Sequence, residues 1–140
     1  MEYKRFGDTY IARFDRGEEV LTCLTQLCRQ EKISLASVEA LGAVDRAVVS
    51  VFDVPTQRFY KKEFNEPMEI SSLTGTVTRK DGEVYLHLHA TLCDTQLLAH
   101  GGHANELHIS ATCEMVIRTL PGQVGRSLNP AVGLNQLDFS

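Results

Sequence analysis

The stretch from Val84 to His103, with the sequence VYLHLHATLCDTQLLAHGGH, constrains the fold of this chain more than any other. His87 and His89 alternate with apolar residues, and alternate residues of a β-strand point to the same face of a sheet. A polar turn is predicted at Cys93–Thr95, and two glycines allow a second tight corner before the last histidine. A returning strand then brings the Gly-Gly-His segment beside the first two imidazoles.

Two histidines on one strand face and a third from a Gly-Gly corner provide the three nitrogens that a metal site needs. Such a site keeps one coordination position open for water or a ligand. The alternative is that these are hydrogen-bonded strand residues, because a His-x-His pattern also arises by chance. Neutral imidazole suits zinc, copper, iron and nickel, so the ligand type does not select the element.

The composition indicates an ordinary soluble globular protein. The 140 residues are enough for one domain with a hydrophobic core, and 43% of them are apolar while 23% are charged. The net charge of −4 argues against tight electrostatic binding to nucleic acid, which needs a basic face. No segment approaches the eighteen apolar residues of a membrane helix, and the N-terminus lacks a signal-peptide core, so we expect a cytoplasmic protein.

The four cysteines form no Cys-x-x-Cys pair. In a cytoplasmic setting we expect free, mostly buried thiols. Two of them, Cys93 and Cys113, are candidates to lie near the histidine cluster. A cysteine as a fourth metal ligand is the less favoured alternative to a packed thiol.

One amphipathic helix is predicted after the break at Asp15–Gly17. Its apolar residues recur at steps of three and four and form one stripe, and they are Val20, Leu21, Leu24, Leu27 and Cys28. Glu18 and Glu19 are expected in the first turn, where acidic groups interact favourably with the helix dipole. The helix should contain three to four turns and pack on a sheet.

The rest of the chain is predicted to be almost entirely β-strand. The segments with strand character are Asp8–Phe14, Ser34–Val44, Ala47–Asp53, Arg58–Phe64, Met68–Thr78, Glu83–Thr91 and Leu107–Leu120. Gly42 is expected at a bulge or close-packing point, and Asp81-Gly82 is a strong hairpin signal. Hairpin-length loops predict an α+β domain with about seven strands in a largely antiparallel sheet and one helix packed on it.

The last segment, Gln123–Ser140, shows no sustained periodicity. We interpret it as a C-terminal tail that packs along the body or reaches a neighbouring subunit. No repeat, low-complexity region or linker divides the chain, so residues 1–140 are expected to form a single domain.

Several segments together resemble the plants and prokaryotes conserved (PPC) domain family. The resemblance extends roughly from Tyr10 to Leu120 and rests on the Ala-Leu-Gly-Ala-Val segment with Gly42, the Ser72–Gly75 stretch, the LHLHATL strand and the Gly-Gly-His corner. It implies an antiparallel, partly barrel-like sheet with a helix against it, and assembly as a homotrimer. The chain is identified as a stand-alone prokaryotic member.

The family architecture is similar to that of acetolactate decarboxylase, whose zinc is held by a His-x-His strand and a Gly-Gly-His. The resemblance therefore implies His87, His89 and His103 as metal ligands, with zinc or another divalent transition metal as the cofactor. His100 is the rival for the third position, because the loop after Cys93 is longer here. His108 has no counterpart and is expected to be an ordinary strand or subunit-contact residue.

Three functions follow from these observations. The first is a homotrimeric binding or assembly module that recognises a protein partner or small ligand and carries the three-histidine metal site. The second is a metal-dependent enzyme on a small keto or hydroxy acid, in which the metal would polarise a carbonyl group. Glu114 or Glu39 would move protons or Arg118 would hold the substrate, although lone charges of this kind are more often solvated strand residues. The third is DNA binding or transcriptional regulation. Plant members of the family carry basic AT-hooks that enter the minor groove of DNA. This chain has no AT-hook, and its most similar segment is Gly125-Arg126.

Overall fold

The computed structural model describes residues 1–140 and contains one helix and nine strands. Helix α1 spans Val20–Gln30. In chain order the strands are β1 Glu2–Phe6, β2 Thr9–Asp15, β3 Ala36–Asp53, β4 Arg58–Phe64, β5 Met68–Lys80, β6 Glu83–Cys93, β7 Ala99–Thr119, β8 Gly125–Asn129 and β9 Leu134–Asp138. At 11 residues, α1 is too short to cross a membrane.

Seven strands form one sheet in the order β1-β2-β7-β6-β5-β3-β4, and β8 pairs with β9 separately. Every pairing is antiparallel. Strand β7 also pairs with β3, so β3, β5, β6 and β7 form a closed circuit of hydrogen-bonded neighbours. The largely antiparallel sheet with one helix is as predicted.

Helix α1 places its apolar stripe against the sheet. Val20, Leu24, Leu27 and Cys28 are buried, as the periodicity predicted, whereas Leu21 is only partly buried. The expectation that Glu18 and Glu19 lie in the first turn is wrong. Glu19 is the N-cap, and its carboxylate accepts hydrogen bonds from two backbone N–H groups of the first turn.

The N-terminal strand β1 was not predicted, because its residues EYKRF are mostly charged and exposed. It forms through backbone pairing with β2, and its Tyr3 side chain packs against the core. The ammonium group of Met1 is held by the carboxylates of Asp15 and Glu18, at 3.2 Å and 2.5 Å. Glu18 therefore binds the ammonium group of Met1 and does not lie in the first turn of the helix.

Strand β3 joins two segments that were predicted as separate strands. It continues through Asp45 and Arg46 because the strand shifts register there instead of ending. The predicted irregularity at Gly42 is confirmed: the pairing with β5 shifts between Ala40 and Gly42. A side chain at Gly42 would meet the carbonyl oxygen of Thr112 at 2.5 Å, so the backbones of β3 and β7 approach closely there.

Strand β7 begins at Ala99, eight residues before the predicted start, and includes both glycines of the Gly-Gly-His segment. The interpretation of these glycines as a corner is wrong, because the chain turns earlier, at Asp94–Leu98. The Asp-Gly turn before β6 is as predicted, with positive φ angles of 52° at Asp81 and 83° at Gly82.

The C-terminal segment packs along the body, which is one of the two expected arrangements, but it is a regular hairpin and not an irregular tail. It forms the β8–β9 hairpin, which lies against β5, and the backbone N–H of Arg79 donates to the carbonyl oxygen of Val124 at 3.2 Å. The short strands carry few apolar residues, so no alternation was visible in the sequence.

Replacing Leu27 by alanine tests whether the helix stripe is part of the core. Leu27 is fully buried, and removing its side chain should reduce the free energy of unfolding by about 2–5 kcal/mol. Chemical denaturation measures this, with Gln26→Ala on the exposed side of α1 as the control, expected within about 0.5 kcal/mol of wild type. Equal effects of the two changes would contradict the packing described.

Candidate metal centre

Three histidines from two neighbouring strands converge on one spot. His87 and His89 come from β6, and His103 comes from β7. Within this group each residue offers a ring nitrogen that lies within 4.8 Å of the others. His89 is exposed and His103 is partly buried.

The strand register explains why His103, and not His100, joins the pair. His103 lies directly opposite His89, and directly opposed residues of an antiparallel pair point to the same face. His100 lies opposite Leu92, which is fully buried on the other face. The Nε2 atom of His100 is 2.8 Å from a carboxylate oxygen of Asp94, a partner outside the cluster.

The spacing of the imidazoles fits one metal ion. The Nε2 atoms of His87 and His89 are 3.3 Å apart. Two nitrogens bound to one tetrahedral metal at about 2.0–2.1 Å are separated by about 3.3 Å, whereas protein hydrogen bonds are usually shorter. The ring centroids of His87 and His103 are 5.3 Å apart, and those of His89 and His103 are 4.3 Å apart. Three neutral imidazoles are also a donor set that zinc and its neighbours accept.

The two glycines before His103 allow β7 to reach this position. A Cβ atom at Gly101 would lie 2.5 Å from the carbonyl oxygen of Ala90 on β6, and one at Gly102 would collide with the carbonyl oxygen of Ser50 on β3. The segment thus fits between two backbones where no side chain has room. The glycines serve close strand packing, which in turn places His103 opposite His89.

Residues around the triad support its geometry. Phe59 of β4 packs edge-on against the ring of His103, with centroids 5.6 Å apart. Ser50 of β3 lies directly opposite His103, and its hydroxyl is buried without a hydrogen-bond partner. A hydroxyl in this place is available to a ligating imidazole, and such supporting hydrogen bonds orient ligands in metal sites.

Burial keeps two of the imidazoles in the form that binds metals. Removal from solvent lowers the pKa of His87, with a smaller contribution from the positive charge of Arg126. Desolvation likewise lowers the pKa of His103, and His89 adds to the effect. Both rings are therefore neutral at pH 7, and their nitrogens are free to coordinate.

A cavity of about 180 Å³ adjoins the triad. His87 and His103 line it together with Tyr85, Asn105 and Arg126, and the remaining wall is mostly apolar. Arg126 comes from the C-terminal hairpin, which the sequence had indicated as an irregular tail. No short-range pattern connects Arg126 to the histidines, so sequence reasoning missed it.

The charged residues that were suggested as catalytic partners lie elsewhere. Glu39 and Glu114 line a separate groove of about 410 Å³, and Glu39 is two strands away from His89 across the sheet, with Thr74 between them. Arg118 lies on β7, fifteen residues after His103, where β7 pairs with β2 and β3 and not with β6. All three residues are exposed strand residues, which is the alternative that the sequence favoured for them.

The remaining candidates have local partners. His108 Nε2 is 3.2 Å from a carboxylate oxygen of Glu106, as suits an ordinary strand residue. All four cysteines are free, as expected, and none joins the histidine cluster. Burial raises the pKa of Cys28 and of Cys113 to about 12, so both remain protonated thiols.

Comparison with known families identifies the domain. The Plants and Prokaryotes Conserved (PCC) domain, the PPC family named above, matches residues 1–121. The chain belongs to this family. The match includes all three histidines of the cluster and ends before the β8–β9 hairpin of this PPC protein. No curated protein sequence matches the chain significantly.

Solved structures of similar proteins have the same fold. A candidate DNA-binding protein from Bacteroides thetaiotaomicron is 32% identical, over 99% of this chain and 96% of that one, with a TM-score of 0.96. A metal-containing protein from Archaeoglobus fulgidus is 28% identical, over 97% and 96% of the chains, with a TM-score of 0.87. A Staphylococcus aureus protein described as similar to alpha-acetolactate decarboxylase has 13% identity, coverage of 84% and 54%, and a TM-score of 0.54, which shows the fold alone.

The stability of the metal-free PPC protein should depend on pH through two histidines. Because burial lowers their pKa below the value of about 6.5 in an unfolded chain, the unfolded state binds more protons as the pH falls through that value. The free energy of unfolding should then decrease on acidification. The double variant His87→Gln, His103→Gln should lose part of this slope in urea unfolding between pH 5.5 and 7.5, while His108→Gln should keep it. Identical slopes in all three proteins would contradict the assignment.

Proposed function

We propose that this PPC protein is a homotrimeric binding module in which His87, His89 and His103 hold one divalent transition metal, with zinc as the first choice. The observation that carries this proposal is the convergence of three ring nitrogens within 4.8 Å of one another. Metal content in the similar Archaeoglobus fulgidus protein supports it. The closed circuit of strands is proposed to curve into a partly barrel-like sheet that holds β6 and β7 in fixed register.

Three imidazoles leave a coordination position open, and the cavity beside them gives a small ligand access to it. A structural metal site would instead be closed by four protein ligands. No cysteine or carboxylate belongs to the histidine group. The module is therefore proposed to bind its ligand at the metal rather than to use the metal only for stability.

Elemental analysis of the untagged protein tests the metal site. The wild type should contain about one zinc-like ion per chain, directly or after incubation with zinc and desalting. The triple variant His87→Ala, His89→Ala, His103→Ala should lose it, because no ligand remains.

His100→Ala and His108→Ala are the matched controls, since both histidines lie outside the cluster, and both variants should retain the metal. Loss of metal in His100→Ala but not in a single His103→Ala variant would assign the third ligand to His100 instead. An absence of metal in the wild type after zinc incubation would reduce the cluster to hydrogen-bonding strand residues.

A homotrimer is supported by an apolar groove on the sheet. Ile11 and Leu41 are 45% and 56% exposed in the single chain, and Val116 and Ala40 lie beside them in the groove of about 410 Å³. A partly apolar groove of this kind is a candidate surface between subunits. Glu39 and Glu114 line the same groove, so we assign them to the subunit contact instead of to catalysis.

Sedimentation analysis tests the assembly. The wild type should have three times the mass of the 15.6 kDa chain, and Leu41→Asp should dissociate it because a charge would be buried without a partner. Leu97→Asp is the control, since Leu97 is exposed outside the groove and the variant should remain trimeric. A monomeric wild type would refute the trimer, and a trimeric Leu41→Asp variant would place its interface elsewhere.

A metal-dependent enzyme on a small keto or hydroxy acid is the second candidate, favoured by the cavity that opens beside two of the proposed ligands. A metal held there would polarise a carbonyl group as a Lewis acid. DNA binding is the third candidate and rests on the description of the Bacteroides thetaiotaomicron relative. The net charge of −4 does not favour it, and a lack of any duplex binding at low salt would eliminate it.

A further inference from the structure

Arg126 is held over the histidine strand by the C-terminal hairpin. Its Nε atom donates to the hydroxyl of Thr78 at 3.0 Å, and one Nη atom donates to the hydroxyl of Thr76 at 3.3 Å. The other Nη donates to the carbonyl oxygen of Asn135 at 3.2 Å. The guanidinium also lies over the ring of Tyr85, 4.8 Å from its centroid. These contacts fix the side chain on the face of the sheet that carries the triad.

The position of Arg126 relative to the triad follows from the strand register. Thr76, which accepts a hydrogen bond from Arg126, lies directly opposite His87, and Thr78 lies directly opposite Tyr85. Opposed side chains of an antiparallel pair are neighbours, with Cβ atoms about 4.5–5.5 Å apart. Arg126 is therefore next to His87, and both side chains line the same cavity.

The charge of Arg126 has no counter-ion in the chain. All three hydrogen bonds go to uncharged oxygens, and no carboxylate lies within salt-bridge distance of its guanidinium. A guanidinium has five N–H donors, so two remain for another partner. Arg126 is partly buried, and a partly buried cation without an anion is unfavourable. A bound anion would accept hydrogen bonds from the two remaining N–H groups and would also balance the positive charge of Arg126.

The size and lining of the cavity limit what that anion can be. Its volume of about 180 Å³ is below the range of about 300–1,000 Å³ that is usual for drug-sized ligands. Phe59, Leu86 and Leu134 give it an apolar wall. A compact molecule with one planar anionic group and a short carbon chain suits this space, since the guanidinium fork matches a carboxylate.

We propose that Arg126 binds the carboxylate of a small organic acid in the cavity beside His87 and His103. This assigns the C-terminal hairpin, which lies beyond the family match at residues 1–121, a direct part in ligand recognition. It deepens the proposed function and rests on it in one respect, namely that the ligand also reaches the proposed metal.

Titration calorimetry with pyruvate on the full-length protein tests the proposal, in both metal-free and zinc-loaded form. Pyruvate should bind the wild type, and Arg126→Gln should weaken binding at least about tenfold, because a charge-assisted hydrogen bond is lost. Arg126→Lys keeps the charge without the fork and should give an intermediate affinity. Arg118→Gln removes an exposed arginine outside the cavity and should bind as the wild type does.

The zinc content of Arg126→Gln, measured in parallel, separates this proposal from the metal site. Retained zinc with weakened pyruvate binding supports Arg126 as a ligand-binding residue. Pyruvate binding by the metal-free wild type that depends on Arg126 supports it even if no metal binds. Equal pyruvate affinity of wild type and Arg126→Gln overturns it, whatever the zinc content.

Two further arms test the ligand class and the integrity of the hairpin. Inorganic phosphate should bind more weakly than pyruvate, and the reverse order overturns the carboxylate assignment. Absence of binding for both anions to the wild type also overturns the proposal. Limited proteolysis of Arg126→Lys should show that the hairpin is still protected. If the hairpin is protected and the variant binds pyruvate with wild-type affinity, the positive charge alone is sufficient. That result would overturn the role of the guanidinium fork.

Discussion

The two-sided pairing of β7 is the constraint on which the rest of the structure depends. Its first residues pair with β6, its remainder pairs with β3, and His103 is where the two pairings meet, opposite both His89 and Ser50. Such a position requires a backbone that neighbours can approach from both sides, which Gly101 and Gly102 provide. The closed circuit of strands and the geometry of the triad are thus consequences of one local arrangement.

Local patterns in the sequence predicted the features that local forces determine. The helix stripe around Leu24 and the alternation of His87 and His89 were visible because their periods of 3.6 and 2 are properties of a single element. The pairing of β1 and the merger of two segments into β3 were not visible, since they depend on distant partners. Gly101 and Gly102 suggested a turn, whereas their function is close strand packing.

The histidines of the candidate site could be predicted from the sequence, whereas the arginine beside them could not. The resemblance to the family indicated His103, and the register of β7 with β6 places it opposite His89. His100 lies three residues earlier on the same strand, and residues an odd number of positions apart point to opposite faces. The cation beside the triad could not be predicted, because Arg126 is separated from His87 by the whole of β7 and lies in short strands without periodicity. Arg118 has the right chemistry but lies fifteen residues beyond His103 along β7, where that strand pairs with β2 and β3.

The placement of the unpaired positive charge bears on the choice between a small ligand and a nucleic acid. A protein that binds duplex DNA offers exposed cations along a surface, where the phosphates of a long polymer can reach several of them. Arg126 is instead partly buried, held by Thr76 and Thr78, and lines a cavity of about 180 Å³ beside imidazoles kept neutral by burial. The proposed small acid would meet the guanidinium and the proposed metal together, and Arg126 is a single cation in a cavity and not one of a row of exposed charges. This placement favours the small acid proposed above, and the net charge of −4 does not favour nucleic acid as the ligand.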